Sequence, residues 1–493
     1  MKNFVEFNRL ISQNIAFTMM VKGIPGSGKT TFLLTLSDDL KDLFDIIYFS
    51  TRVNVDVLYN QFPWLKNLEK KVSLIMASQN LLKTLYEKNL KNESKENIKE
   101  NAREVISNTD ENRMVTKIYY NKYFKMKPVP EIDYVYKKLN EEREKKHIVI
   151  IDSIEGLASK YGIDETSIIV SLQEDIFKKT NDIFIYSVET TSHVPLEALS
   201  DVIFEFTYEI LDSRRIRKLI IDKLRNSYIE NPTYLFSLIN GKFKILNPNL
   251  TLNKEENKFK PLLENDSNFK FPWKEINNIL DNGLEGGKSL TLYYGENISY
   301  NDYLFVIVPI ILNALSNRKL IYIPSPISSK EFYYNTFRKY IDEDIIKNNS
   351  YFFDKDTKEN MDFSVPLSSN PIDTKITLKN IIEDLMKKNQ KMIIIMNSDM
   401  LDNLFGSYYS NKTTEFVMDI LRMIKIYKVP LINIVKYPEK LTDEITQMSD
   451  YIIKIENIDG NLVLCSLSPS SNYFGFEIDE MEKYPNLKLI PIL

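Results

Sequence analysis

The stretch that decides the fold is AFTMMVKGIPGSGKTT, residues 16–31. An apolar run leads into a glycine-rich turn, and Gly23 to Thr30 fit the pattern G-x-x-x-x-G-K-[ST]. Glycine is scarce in this chain, with 13 in 493 residues, so a chance match is on the order of one in a few hundred. The pattern therefore predicts a strand, a phosphate-binding loop and a helix, in that order.

Each position of this loop has a physical role in holding phosphate. The glycines let the backbone turn tightly with its N–H groups pointing inward. The helix expected from Lys29 to about Leu40 adds its positive end. Lys29 would bring a full charge to the β- and γ-phosphates, and the Thr30 hydroxyl is the expected Mg²⁺ ligand. The predicted nucleotide-binding residues are Gly23, Ile24, Pro25, Gly26, Ser27, Gly28, Lys29, Thr30 and Thr31.

A second motif supplies a carboxylate for the same metal ion. HIVIIDS, residues 147–153, reads as a buried strand that ends in Asp152. After a phosphate-binding loop, such an aspartate is expected to hold Mg²⁺ through water. The alternative is that Asp152 simply ends a strand.

Short apolar runs alternate with helix-like stretches in both halves of the chain. This pattern predicts two α/β domains with mostly parallel sheets flanked by helices. The predicted strands are residues 16–23, 45–50, 147–152 and 183–189 in the first half, and 289–295, 319–325, 391–396 and 430–435 in the second. The predicted organisation is a first domain at 1–246 with a charged helical insertion at about 87–144, a linker at 247–269, and a second domain at 270–493.

Composition excludes several classes of protein. A single cysteine, Cys465, and two histidines cannot assemble a Cys/His zinc cluster or an intrachain disulfide. The net charge of -4 argues against a protein that coats nucleic acid. The most apolar run, residues 303–315, is too short to span a bilayer, and the first residues lack a secretion signal. We therefore expect a cytoplasmic protein without a membrane partner.

Several ordered stretches resemble the RecA superfamily of P-loop ATPases, of the KaiC- and Rad55-like kind. They are the phosphate loop, IVIIDSIEGLASKYG (148–162), and the run from LSDVIFEF through RRIRKLIIDKLRN to YLFSLINGKFKIL within 199–246. The stretch YFSTRVNVDVLYNQFPWL (48–65) resembles the archaeal GvpD P-loop family more closely. The resemblance covers most of residues 1–245 and implies a RecA-like fold that binds ATP and Mg²⁺.

The resemblance also implies a site that is shared between subunits. In KaiC-like ATPases a K-x-R element reaches the γ-phosphate of a neighbouring subunit, and that role would fall to Lys223 and Arg225. Positive charge at that point would stabilise the transferring phosphoryl group. The expected assembly is then a homo-oligomeric ring or filament. The alternative is that both residues are exposed charges at a strand end.

One departure from the KaiC-like pattern concerns the residue that activates water. These enzymes carry adjacent glutamates after the second strand, whereas this chain has Ser50, Thr51 and Arg52 there. Threonine cannot act as a general base near neutral pH. Glu189 and Glu155 are the candidate substitutes, so we expect an ATPase that is slow or differently organised.

The second half resembles the first but lacks the residues of the phosphate-loop motif. Aligned from Gly295, its loop reads GENISYND, which places Tyr300, Asn301 and Asp302 where the first loop has Gly28, Lys29 and Thr30. The strand that should end in a metal-binding carboxylate ends in Asn397. These changes predict a degenerate RecA-like domain without a nucleotide site, and the alternative is an unrelated α/β domain.

A basic cluster lies at Arg214, Arg215, Arg217 and Lys218. We interpret it as an exposed sheet edge or a subunit contact, with DNA binding less favoured. The function hypothesis is an ATP-binding, Mg²⁺-dependent regulatory or assembly switch with a regulatory protein partner. The alternatives are a DNA-associated recombination motor and an ATP-binding scaffold that does not hydrolyse ATP.

Overall fold

The computed structural model divides into two compact units, Met1–Ile245 together with Leu493, and Leu246–Ile492. It describes residues 4–53, 55–67, 72–76, 129–139, 145–174, 181–225, 227–248, 250, 257–264, 267–355, 361–405, 410–436, 442–478 and 482–493. Most of the insertion predicted at about 87–144 lies outside the described residues.

The strands of the first unit follow the apolar runs of the sequence. They are β1 (Phe17–Gly23), β2 (Asp45–Ser50), β3 (Val72–Met76), β4 (His147–Asp152), β5 (Ile183–Val188), β6 (Val202–Leu211), β7 (Arg214–Leu224), β8 (Thr233–Ser237) and β9 (Lys244–Ile245). The helices are α1 (Val5–Ser12), α2 (Lys29–Leu40), α3 (Val55–Gln61), α4 (Pro130–Leu139), α5 (Ile154–Tyr161), α6 (Glu165–Leu172) and α7 (Leu196–Leu199).

These strands form one sheet whose centre is β1. Among the described residues the strand order is β3-β2-β4-β5-β1-β6-β7-β8-β9. The strands from β3 to β6 run parallel, and β7 to β9 continue antiparallel. Parallel neighbours bring the carboxyl ends of β1, β2, β4 and β5 to one edge of the sheet, which is where α/β folds bind ligands.

Both faces of this sheet are covered, which explains why β1 is buried along its whole length. Met19 and Val21 pack with Phe32 of α2 on one face. Met20 packs with Tyr186 and with Leu157 of α5 on the other. Alternate residues of β1 therefore serve two cores, as expected of a central parallel strand.

The strands of the second unit are β10 (Ser289–Tyr294), β11 (Lys319–Ile323), β12 (Ser350–Asp354), β13 (Ser364–Pro366), β14 (Met392–Asn397), β15 (Leu431–Lys436), β16 (Tyr451–Ile458), β17 (Asn461–Ser468), β18 (Phe474–Ile478) and β19 (Leu487–Pro491). Its helices are α8 (Lys274–Ile279), α9 (Tyr300–Asn317), α10 (Lys330–Phe337), α11 (Glu343–Asn349), α12 (Pro371–Lys387), α13 (Ser398–Phe405), α14 (Ser410–Tyr427) and α15 (Thr442–Met448).

The second sheet repeats the path of the first. Over the described residues its order is β13-β12-β11-β14-β15-β10-β16-β17-β18-β19. Its strands are parallel from β13 to β16 and antiparallel beyond. With β10 set against β1, every strand of the first sheet has a counterpart in the same place, and β13 is added at one edge. The predicted tandem α/β fold is confirmed.

The segment that the sequence assigns to the linker is packed against the second unit where the structure describes it. The Phe259 N–H donates to the Tyr340 carbonyl at 3.0 Å. Glu264 forms an ion pair with Arg318 at 2.8 Å, and both side chains are almost fully buried. Within the described ranges no helix combines the length and apolarity needed to cross a membrane.

Candidate functional site

The loop after β1 has the backbone that its glycines predict. Gly26 and Gly28 have φ values of 77° and 112°, in the region that favours glycine. Gly23 has a φ of 150°, and a β-carbon there would collide with the Phe206 carbonyl oxygen of β6. The loop is therefore shaped by conformations and close approaches that other residues cannot adopt without strain.

Lys29 is folded back onto the loop that carries it. Its Nζ donates to the Gly23 carbonyl at 2.6 Å and to the Ile24 carbonyl at 3.0 Å. Burial lowers the pKa of Lys29, and the negative charges of Glu189, Asp152 and Glu155 partly oppose that shift. A buried ammonium whose hydrogen-bond partners among the described residues are neutral carbonyls would gain from an anion in the loop.

Asp152 lies at the end of β4 and accepts three hydroxyl hydrogen bonds. Thr30 and Tyr48 each donate to Oδ2 at 2.8 Å, and Ser187 of β5 donates to Oδ1 at 2.5 Å. Tyr48 is completely buried, and burial together with the charge of Asp152 holds the pKa of its hydroxyl well above the usual value. Tyr48 therefore stays a neutral donor that fixes the carboxylate beside the loop.

These residues fit a magnesium ion as well as phosphate. Because Thr30 gives its hydrogen to Asp152, the lone pairs of its Oγ1 remain available to a cation. Hydroxyl and carboxylate oxygens are the ligands that Mg²⁺ prefers. No cluster of three or more His, Cys, Asp or Glu side chains that could hold a metal by itself occurs among the described residues.

Three buried polar atoms around the loop have no hydrogen-bond partner among the described residues. They are Ser27 Oγ inside the loop, Ser153 Oγ next to Asp152, and Glu155 Oε2 at the start of α5. Buried polar groups in folded proteins normally have partners. Their concentration at one loop indicates a site that a polar ligand or water completes.

The remaining loop residues shape the cradle rather than project into it. Pro25 and Gly26 are exposed, Ile24 and Gly28 are half-buried, and Thr31 is buried at the start of α2. A β-carbon on Gly28 would be 3.3 Å from the side chains of Phe236 and Leu238. The loop therefore has one face on the core and one face toward solvent.

Arg217 corrects the interpretation of the basic cluster. Arg214 and Arg217 are buried, at 8% and 7% exposure, because β7 lies between β6 and β8 instead of forming the sheet edge. Arg217 Nη1 donates to the carbonyls of Gly26 at 3.0 Å and Ser27 at 3.3 Å. The predicted exposed sheet edge is wrong for these two residues, and Arg217 instead hydrogen-bonds the loop.

Lys223 and Arg225 lie far along the sheet from the loop of their own chain. Arg225 adjoins Asp201, whose N–H bonds the carbonyl of Thr18 at the start of β1. At roughly 3.3 Å per strand residue, Thr18 is about 16 Å from Gly23. Arg225 pairs with Asp201 at 3.0 Å, and Lys223 donates to the Glu197 carbonyl at 2.8 Å. The structure does not bring this pair to the loop.

Arg52, Glu155 and Glu189 follow the ends of β2, β4 and β5 and do meet beside the loop. Arg52 Nη1 forms an ion pair with Glu189 Oε2 at 2.5 Å. Glu155 Oε1 accepts the backbone N–H of Glu189 at 2.5 Å. The Glu155 carboxylate is thus bonded to the backbone of Glu189, although 34 positions separate the two residues in the chain.

The corresponding turn of the second unit is an ordinary helix start. Ser299 caps α9 by accepting the N–H of Asp302, and the Asp302 carboxylate accepts the N–H of Ser299 at 3.2 Å. A carboxylate of the chain itself therefore occupies the positive end of the helix that would otherwise face a phosphate. Asn397 is fully buried, and its Oδ1 accepts the N–H of Met400.

The strand order, the glycine loop and the buried lysine define the first unit as a P-loop domain of the nucleotide-binding NTPase class. The family described as "GvpD gas vesicle protein, P-loop domain" matches residues 7–96. The chain is also 24% identical to Protein GvpD2 of Halobacterium salinarum over 322 residues, which is 63% of this chain and 59% of that protein. Both findings support a GvpD-like P-loop protein, and the predicted resemblance to the GvpD P-loop family is confirmed.

Proposed function

We propose that the protein binds Mg-ATP at the loop of the first unit and acts as a nucleotide-dependent regulatory switch. The observation that carries the proposal is the state of Lys29. Its ammonium is buried on the carbonyls of Gly23 and Ile24, beside a Ser27 hydroxyl that has no partner in the described part of the chain. Phosphate oxygens would satisfy both groups at once.

The side chains of the site divide the work of holding the nucleotide. The loop N–H groups and Lys29 bind the phosphate oxygens, while Thr30 and Asp152 hold the metal. A bound Mg²⁺ would supply charge neutralisation for the phosphate oxygens. Tyr48 and Ser187 keep the Asp152 carboxylate in place through their hydroxyls. A phosphate that draws Lys29 away from the Gly23 carbonyl would change the conformation of the loop. That change would transmit the nucleotide state to other surfaces of the protein.

Equilibrium binding of a fluorescent ATP analogue tests this proposal. We expect one nucleotide per chain, Mg²⁺-dependent affinity, and a loss of at least about 100-fold for Lys29→Ala, since a charge-assisted phosphate contact contributes about 3 kcal/mol. The matched control is Lys41→Ala, just beyond the other end of α2. Equal affinities of wild type and Lys29→Ala would refute the site.

We further propose that a second copy of the chain completes the site. Arg225 is exposed and lies level with Thr18, about 16 Å along the sheet from the loop of its own chain, and Lys223 is two positions before it. Their charge can therefore act on a nucleotide only if another subunit presents it. The resemblance to KaiC-like ATPases supports this arrangement.

A mixing experiment distinguishes a shared site from a self-contained one. Lys29→Ala removes phosphate binding, and Arg225→Ala removes the contribution to a neighbour. If sites are shared, a mixture of the two inactive variants regains turnover, because some interfaces combine an intact loop with an intact Arg225. A mixture that stays as inactive as its parts contradicts the shared site.

The family name adds a biological setting to this proposal. The matching P-loop domain is that of a gas vesicle protein, so control of gas vesicle formation is the first process in which to seek the switch. Deletion of the gene in a vesicle-forming host should change vesicle abundance, measured as buoyancy. Complementation by wild type but not by Lys29→Ala would tie the effect to nucleotide binding.

A further inference from the structure

Hydrolysis at this site, which rests on the function proposed above, requires a group that accepts a proton from the attacking water. The turn after β2 offers no carboxylate, since it carries Ser50, Thr51 and Arg52. Two carboxylates nevertheless lie beside the loop, on Glu155 and Glu189. Their hydrogen bonds distinguish them.

The carboxylate of Glu155 is anchored through one oxygen only. Oε1 accepts the N–H of Glu189, whereas Oε2 is buried and has no hydrogen-bond partner in the part of the chain that the structure describes. A buried carboxylate oxygen without a donor is costly. A donor such as a water molecule at the γ-phosphate would relieve that cost.

The turn that presents Glu155 is fixed to the end of β2. Thr51 Oγ1 accepts the N–H of Ser153 at 2.8 Å and donates to the Ser153 carbonyl at 3.0 Å. A β-carbon at Gly156 would collide with that same Thr51 oxygen. Thr51 and Gly156 therefore lock the start of α5, and with it the direction of Glu155.

Glu189 is engaged differently. Its carboxylate forms the 2.5 Å ion pair with Arg52, whose side chain is 47% exposed. Glu189 Oε2 is therefore occupied by a donor, whereas Glu155 Oε2 has no donor among the described residues. The charges of both glutamates act on Lys29, so both carboxylates lie close to the phosphate loop.

From this difference we infer that Glu155 is the general base of ATP hydrolysis and that Arg52 keeps Glu189 out of that role. Glu155 Oε2 takes a proton from water as the water oxygen bonds to the γ-phosphorus. The bond from that phosphorus to the β,γ-bridging oxygen breaks, and ADP leaves with the electron pair. Glu155 then releases its proton to solvent.

The test compares Glu155→Gln with Glu189→Gln, two isosteric changes within one pair of hydrogen-bonded residues. We expect Glu155→Gln to lower Mg-ATP turnover by at least about 100-fold and Glu189→Gln to lower it by less than about 10-fold. The fluorescent ATP analogue should bind both variants within about 2-fold of wild type, because neither side chain is needed for ground-state phosphate contacts.

A second measurement does not depend on turnover. ADP with tetrafluoroaluminate mimics the transferring phosphoryl group together with the attacking water. Glu155→Gln should weaken its binding by at least about 10-fold while ADP alone binds as to wild type. A purely structural role of Glu155 would change both ligands together or lower the thermal midpoint.

Each outcome decides a different question. Turnover retained by Glu155→Gln, or a larger loss in Glu189→Gln, overturns the assignment of the base. Tight ATP binding by wild type without any turnover overturns it as well, while the nucleotide-binding proposal stands. Failure of wild type to bind the analogue overturns the proposed function itself.

Discussion

Thr30 and Asp152 are joined by a 2.8 Å hydrogen bond from the threonine hydroxyl to Oδ2 of the carboxylate, although 122 positions separate them in the chain. Thr30 lies in the first turn of α2, and Asp152 ends β4. The bond therefore ties the phosphate loop to a strand that is not its direct neighbour, since β5 lies between β4 and β1. Mg²⁺ dependence of nucleotide binding should follow from this contact.

Asp152→Asn should weaken the binding of Mg²⁺ without destroying the loop. The amide keeps the size of the side chain but lacks the negative charge that a cation needs. We expect the Mg²⁺ concentration for half-maximal binding of the ATP analogue to rise about 10- to 100-fold. Magnesium titrations of both proteins provide the measurement, and an unchanged midpoint would show that Asp152 does not serve the metal.

Tyr48→Phe should affect both stability and the metal site. It removes a buried donor to Asp152 and should lower the free energy of unfolding by about 1–2 kcal/mol, measured by urea denaturation. The matched control is Tyr186→Phe, which removes a buried hydroxyl bonded to Ser200. Both variants should lose stability, but only Tyr48→Phe should shift the magnesium titration. If the magnesium titrations of the two variants are equal, Tyr48 contributes to stability but not to the metal site.

Two glycines of the loop should differ sharply when changed to alanine. At Gly23 the new β-carbon meets the Phe206 carbonyl, so the strand must move, at a cost of about 3 kcal/mol or more. At Gly26 no described atom lies within 4 Å of the added β-carbon, so the φ of 77° is what opposes the change, at about 1–2 kcal/mol. Chemical denaturation should give a lower free energy of unfolding for Gly23→Ala than for Gly26→Ala. Comparable losses of stability would contradict the close approach of Gly23 to the Phe206 carbonyl.

Arg217→Ala should loosen the loop without touching the nucleotide. The substitution leaves the Gly26 and Ser27 carbonyls without a buried donor, and we expect a loss of about 1–2 kcal/mol in binding free energy, or about ten-fold in affinity. Arg215→Ala is the neighbouring control, because Arg215 is exposed and stacks on the Tyr208 ring at 4.4 Å. That control should change affinity by less than about 2-fold, within the ordinary range for surface substitutions.

The sequence predicted the strands and the loop because both depend on local patterns. Apolar runs placed β1, β2, β4 and β5, and the glycine–lysine spacing placed the helix start at Lys29. Arg217 could not be found in this way, because its contact with Gly26 depends on the register of β7 against β6. The charges alone favour an exposed sheet edge or a subunit contact there.

The hydroxyls around Asp152 were missed for a related reason. Tyr48 and Ser187 reach the carboxylate only because β2 and β5 are both neighbours of β4, and strand order is not a local property of the sequence. The cap at Ser299, in contrast, had a local signal. A serine followed three positions later by an acidic residue is typical of a helix start. Aligning this turn with the glycine loop draws attention to the missing glycine and lysine instead of to this capping pattern.

The self-capped start of α9 has a consequence for how such chains are recognised. The two sheets have the same strand order apart from β13, yet only the first unit carries the phosphate-loop motif. The matching family covers residues 7–96, which lie in the first unit. Because Ser299 and Asp302 satisfy the helix end, this turn needs neither the glycine nor the lysine, and the motif can be absent while the chain path is the same. Relatives that keep only this second kind of unit would escape any motif search and would be found by comparing strand order.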